Sequence, residues 1–191
     1  MIALSCFAPF GGRQVNNSQR LLDEVKKIAS NCPELNLSFL EPLPVVYDTC
    51  FESLDERLQA LSSKPRVLLA FGEAPTEKLK LESVATNLKH SKKADEAGNV
   101  CAEQVIVEAG PSSIENSIGF SRLYEQLAPS VKTHFELSED CGQYVCNNLN
   151  YRALYELPDS LRFGFIHVSN SKEDLSQEAR AVLELIRLIH I

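Results

Sequence analysis

Val67-Leu68-Leu69-Ala70-Phe71, bounded by Pro65 and Gly72, is a continuous apolar run of strand length. A strand that is apolar on both faces needs cover on both, the condition of a central strand in a layered α/β domain. Upstream, Ile2 to Phe7 makes an apolar first strand. Asn17 or Ser18 is placed to cap a helix in which Leu21, Leu22, Val25, Ile28 and Ala29 share one face. Leu35, Leu37 and Phe39 alternate as a strand does. Leu43 to Tyr47 is a second apolar stretch, broken by Pro42 and Pro44, and Phe51, Leu54, Leu58 and Leu61 return to helical spacing. Downstream, Leu79, Leu81 and Val84 suggest a short strand, and 86–111 is polar with no clear period. Phe120, Leu123, Tyr124 and Leu127 predict a helix, and Val131, Thr133, Phe135 and Leu137 a strand. A helix is predicted over 143–156, a strand over Arg162 to Val168, and an amphipathic helix from Leu175 to Ile189. Strands and helices alternate, so the predicted fold class is α/β: a three-layer α/β/α sandwich around a mixed, largely parallel sheet, in one domain over 1–191.

The 191 residues are 44% hydrophobic and 24% charged, with a formal net charge of -7 and an isoelectric point near 5.2. That balance argues against nucleic acid or an anionic membrane surface as partner, because both attract clustered Lys and Arg. No apolar run approaches the roughly 20 residues that cross a bilayer. MIALSCFAPFGG has no basic segment ahead of its apolar residues and reads as a first strand, not a signal peptide. The six cysteines include no C-x-x-C, and the four histidines (His90, His134, His167, His190) show no H-x-x-x-H. Reduced thiols in a cytoplasmic protein are expected, with no structural zinc site, no metal and no cofactor.

Four segments bear on chemistry. Cys146 lies in the first turn of a predicted helix, after the turn-prone Ser138-Glu139-Asp140-Cys141-Gly142. Helix N-termini present unpaired N–H groups and a positive dipole end, which favour a thiolate and can hold an oxyanion. His167 closes the strand-like run Phe163 to His167. Ligands gather at the carboxyl ends of strands in α/β sheets, and a neutral imidazole there can take a thiol proton and return it to a leaving amine. Glu82, in Lys78 to Asn87, is placed to orient that imidazole if it is buried and paired. Each has a plainer reading: a core cysteine, a packed histidine, a surface carboxylate. Phe7-Ala8-Pro9-Phe10-Gly11-Gly12 is a Phe/Gly-rich turn whose glycines allow close backbone approach and whose phenylalanines can wall a small flat ligand. It is neither the dinucleotide fingerprint nor a P-loop.

Taken in order, these segments are more specific than any one alone. Phe7 to Gly12 with Asn16-Asn17-Ser18, Leu43 to Tyr47, Glu82-Ser83-Val84-Ala85-Thr86-Asn87, Ser138 to Asn147, and Phe165 to Val168 follow in sequence across nearly the whole chain. The chain thereby resembles the pyroglutamyl peptidase type I family. The resemblance implies a thiol protease with Cys146 as nucleophile, His167 as general base and acid, and Glu82 orienting His167. It implies a small peptide substrate with a blocked N-terminus, from which pyroglutamate is removed through a thioester. It further implies a homotetramer or homodimer, a pocket walled by Phe7 and Phe10, and Asn16 near that pocket.

The chain departs from the family's pattern at the rim. Gly72-Glu73-Ala74 stands where the pattern is G-[LQ]-A, so Glu73 is expected to change the polarity of the pocket wall. Lys92 stands for an arginine, which keeps charge but loses the bidentate fork. Ser138 to Gly142 replaces S-N-[ST]-A-G, putting two carboxylates near Cys146 that are expected to raise its pKa. Cys141 is expected to be a bystander, or a disulfide partner of Cys146 under oxidation. These departures keep two alternatives open: a thiol amidase for a different small N-terminal cap, one pairing a positive charge with Glu73, and a weakly catalytic binding paralogue.

Overall fold

The computed structural model describes residues 1–189; His190 and Ile191 lie outside the described residues. The central sheet has six strands. In chain order they are β1 (Ile2–Cys6), β2 (Leu37–Phe39), β3 (Val67–Ala74), β4 (Leu79–Glu82), β9 (Phe135–Ser138) and β10 (Arg162–Ser169). Their spatial order is β2-β1-β3-β10-β4-β9. The first four in that order run parallel; β4 pairs antiparallel with β10 and parallel with β9. β3, the apolar run that decides the fold, sits between β1 and β10 as a central strand.

Strand alternation sorts the sheet's side chains into two cores. Ile2, Leu4, Val67, Leu69, Phe71, Leu79, Leu81, Ile166 and Val168 face one side. There they meet α1 (Asn17–Ala29), α3 (Phe120–Gln126) and α6 (Ser176–Ile189). Ala3, Leu68, Ala70, Phe163 and Phe165 face the other, against α2 (Cys50–Gln59) and α5 (Val145–Glu156). Gly72, Glu82 and His167 share the parity of this second face, which places their chemistry under α5.

The cap of α1 is Asn16, one residue before the expected position: its side chain accepts from Ser18 N–H at 2.9 Å. The strand expected from Val131 to Leu137 is shorter. Pro129 sits at a helix start and opens the short α4 (Pro129–Lys132), so the chain does not extend until β9. The polar 86–111 stretch holds more order than its pattern suggests. β5 (Val84–Thr86) pairs with β8 (Ser113–Glu115), and β6 (Lys89–Ser91) with β7 (Cys101–Gln104). Between them Asn87 closes the loop: Oδ1 accepts from Ile106 and Val107 N–H, and Nδ2 donates to the Val107 and Gly110 carbonyls. Side-chain-to-backbone bonds of this kind leave no hydrophobic period to read. Among the described residues no helix is long and apolar enough to cross a membrane.

Candidate active site

The site forms where β3 and β10 end and α5 begins. His167 and Gly72 are register partners on the parallel β3–β10 pair, and Phe165 pairs across β10–β4 with Glu82. Glu82 is thus diagonal to His167 on one face, a separation that a long side chain spans. His167 Nδ1 and Glu82 Oε1 are 2.7 Å apart, in a buried setting. A carboxylate only accepts, so the shared proton belongs on Nδ1 and Nε2 is left as the acceptor. The Phe165 ring packs edge-on to the imidazole, 5.1 Å between centroids, and fixes it from a second side.

Cys146 is the second residue of α5, as expected for a thiol at a helix start. Its Sγ lies over the Gly72 backbone: a Cβ on Gly72 would sit 2.9 Å from Cys146 Sγ and 2.8 Å from Phe165 Cζ. The missing side chain is therefore what lets the thiol enter the face that His167 occupies. Gly72→Ala is expected to push Sγ and the Phe165 ring apart, at a cost of about 1–3 kcal/mol for overpacking. Activity should fall by about 10²-fold, the scale of a misplacement near 1 Å. Assay of the purified variant beside its thermal melt separates the two effects.

Burial pushes the Cys146 thiol up to about 12, with Cys50 and Glu82 adding to the rise and the residue's own backbone N–H opposing it. The upward direction matches the expectation, but the cause differs. Glu139 and Asp140 are exposed, and Asp140 turns its carboxylate to Gly142 N–H at 2.9 Å, so burial and Glu82 do the work assigned to them. A thiol in this state is protonated at neutral pH and needs a base to react. Its alkylation rate by iodoacetamide should rise about tenfold per pH unit from pH 6 to 9, because only the thiolate reacts. A flat rate across that range would instead mark a preformed thiolate–imidazolium pair.

The remaining expected site residues separate into cleft and frame. Phe10 is half-buried beside Tyr144, 6.4 Å between ring centroids. Phe7 is 2% exposed and packs into the core 6.4 Å from Phe165, so Phe10 is the more exposed of the two rings, with the Arg13 guanidinium 5.0 Å from its centre. Asn16 has both ends of its amide engaged, capping α1 and donating to the Ala8 carbonyl at 3.0 Å. It thereby fixes the FAPFGG turn to the helix that follows. Glu73 is also part of the frame. One oxygen accepts from Asn17 N–H at the start of α1, 2.9 Å, and the other pairs with Arg13; its side chain is 3% exposed. A carboxylate at a helix N-terminus is stabilised there, and its charge is already matched. Lys92 is exposed, and it is the next residue, Lys93, whose ammonium sits 4.4 Å from the Phe10 ring centre.

Several residues that shape the site carry no strong sequence signal. Asp95 gathers three backbone N–H groups, from Tyr47, Ala97 and Asn99, and these hold its carboxyl below the usual range against the opposing effect of burial. That knot anchors the segment whose Glu96 accepts from Gly11 N–H at 2.6 Å, so 92–98 forms a wall facing the FAPFGG turn. Tyr144 donates to the Ala94 carbonyl at 2.9 Å and ties α5 to the same wall. Asn147 Nδ2 donates to the Thr86 and Leu88 carbonyls, and Asn17 Nδ2 to those of Ser169 and Lys172. Such bonds join distant parts of the chain, and only the asparagines in the quoted motifs hint at them. Cys141, expected to be a bystander, is buried against the Glu82–His167 pair. A cavity of 780 Å³ opens at the opposite end of the sheet, around Val67 and Arg162, away from all of these groups.

Comparison with known proteins bears on the family and the fold. The pyroglutamyl peptidase family model matches residues 1–181. A pyrrolidone-carboxylate peptidase of Brevibacillus brevis is 28% identical over 182 residues, covering 93% of this chain and 82% of that protein. One from Vibrio vulnificus is 29% identical over 193 residues, covering 99% and 87%. Among solved structures, pyrrolidone carboxyl peptidase from Thermus thermophilus superposes with a TM-score of 0.80 at 26% identity, covering 100% of both chains. Pyroglutamyl peptidase I from Bacillus amyloliquefaciens shares the fold, with a TM-score of 0.82 at 24% identity, covering 100% of this chain and 94% of that one. The chain belongs to the pyroglutamyl peptidase family.

Proposed function

We propose that this protein is a cysteine peptidase that removes pyroglutamate from the N-terminus of peptides, with Cys146 as nucleophile, His167 as general base and acid, and Glu82 as the residue that orients His167. The observation that carries the reading is the buried 2.7 Å His167–Glu82 pair on the sheet face that Cys146 Sγ enters through Gly72. Membership of the family supports the same chemistry.

The steps follow from the groups in place. His167 Nε2 takes the Cys146 proton as Sγ attacks the pyroglutamyl carbonyl, so the C–S bond forms while negative charge collects on oxygen. First-turn N–H groups of α5 have no intrahelical partner and suit that oxyanion. The imidazolium gives its proton to the leaving amine as the C–N bond breaks, leaving a thioester. Water, deprotonated by His167, then releases pyroglutamate and restores the thiol. Glu82 favours the imidazolium form at each stage. The half-buried Phe10 offers an aromatic face to the flat lactam ring.

The test is a panel of coumarin amides carrying pyroglutamyl, prolyl, glutamyl and cationic aminoacyl caps. Pyroglutamyl is expected to be cleaved with the highest kcat/KM; a cationic cap cleaved faster would overturn the substrate assignment. The alternative of a cationic cap draws no support from Glu73, whose carboxylate is taken up by Arg13 and α1. Six free cysteines support a reducing, cytoplasmic setting. A homodimer or homotetramer is the assembly the resemblance implies, and sedimentation of the purified chain reads it directly.

A further inference from the structure

Cys141 has no part in the chemistry above, yet it is packed against it. Its Sγ, a nitrogen of His167 and a carboxylate oxygen of Glu82 all lie within 4.8 Å of one another, and all three residues are buried. They come from the turn after β9, the end of β10 and the end of β4, so no spacing along the sequence announces the cluster. Glu82 supplies a second, independent sign. His167 takes Oε1, while Oε2 is buried with no hydrogen-bond partner among the described residues. A desolvated carboxylate oxygen without a partner is a strong acceptor for a cation.

Thiolate, imidazole and carboxylate together make a donor set that zinc favours. Zinc bonds to these atoms, arranged tetrahedrally, put the ligands roughly 3.3–3.7 Å apart, so the cluster closes on a cation with movements of about an ångström. We propose that Cys141 Sγ, His167 and Glu82 Oε2 bind one thiophilic divalent cation of the zinc type, and that this cation switches the enzyme off. Binding releases the Cys141 proton to solvent, and the single His167 ring proton resides on the nitrogen that does not ligate. It also occupies the two residues that would otherwise move and stabilise the catalytic proton. Water or Cys146 completes the coordination. The inhibitory half rests on the proposed function; the binding half does not.

The binding half is tested on Cys146→Ser protein, which lacks the nucleophilic thiol. Zinc titrated against a chromophoric chelator should bind in one equivalent. Adding Cys141→Ala should weaken that site at least tenfold, and with cadmium should remove a thiolate-to-metal charge-transfer band. Equal zinc affinity and an equal cadmium band in the two proteins would overturn the proposal. Should alanine at this buried turn prevent folding, Cys141→Ser keeps the shape, and the same loss of zinc affinity and of the cadmium band is expected. The inhibitory half is tested by activity: the Cys141→Ala enzyme should need at least tenfold more zinc for half-inhibition than the intact enzyme. Equal inhibition of both would assign the effect to Cys146 and overturn that half. Absence of pyroglutamyl hydrolysis by metal-free intact protein would defeat the proposed function, while the zinc titration would still stand on its own.

Discussion

Cys146→Ala is expected to lower kcat/KM on pyroglutamyl substrates by roughly 10⁴-fold or more, the scale of losing a covalent nucleophile. Two features make the effect large. No neighbouring thiol is placed to substitute: Cys50 and Cys141 are buried, whereas Cys146 is half-buried at the start of α5. What remains without Sγ is binding plus first-turn N–H groups, which polarise a carbonyl but form no thioester. The fold should be nearly untouched. Cys146 is half-buried in the first turn of α5, alanine suits a helix, and losing one small atom costs about 1 kcal/mol. Unchanged circular dichroism with the activity gone is the expected pair of results. A variant within tenfold of the parent would remove Cys146 from the mechanism.

Glu82→Gln carries the second largest effect. Glutamine keeps the shape and can still accept from His167 Nδ1, so the imidazole stays close to where it was. The charge that favours the imidazolium is lost, and with it about 10³–10⁴-fold in kcat. KM should move far less, because Glu82 is wholly buried behind His167. Stability should hold or rise slightly, since a buried carboxylate with one unpartnered oxygen is replaced by a neutral amide. Glu82→Ala would give a different pattern, with activity and stability falling together. Parallel kcat, KM and melting measurements on the two variants distinguish orientation of His167 from simple packing.

How much of this could be read from the chain depends on the kind of interaction. The apolar 67–71 run predicts a central strand, and β3 is one, because two-sided cover leaves a periodic mark in the sequence. Cys146 at a helix start follows from the same kind of pattern, as does His167 near a strand's carboxyl end, although β10 runs two residues further than His167. The partner of His167 is another matter. Glu82 reaches it across an antiparallel pair, β4 with β10, and local sequence gives no register between strands. Local context makes Glu82 a candidate, with a surface carboxylate as the plainer reading, and the ordered motifs of the family resemblance give it the role. Glu73 shows the opposite case: its acidity was legible, but its partners Arg13 and Asn17 N–H were not, so a framework carboxylate reads as a specificity group. Cys141 reads as a bystander because burial against Glu82 and His167 leaves no trace in spacing. Val131 and Thr133 alternate as strand residues do, yet Pro129 starts a helical turn that overrides them.

The central claim is a thioester on Cys146. Acid quench of the protein during turnover of a pyroglutamyl substrate, followed by peptide mass spectrometry, tests it most directly. A pyroglutamyl acyl group on the peptide that contains Cys146, absent from the Cys146→Ala protein, is the predicted result. Full turnover with no acyl group on that cysteine, or with one on another residue, would contradict the account.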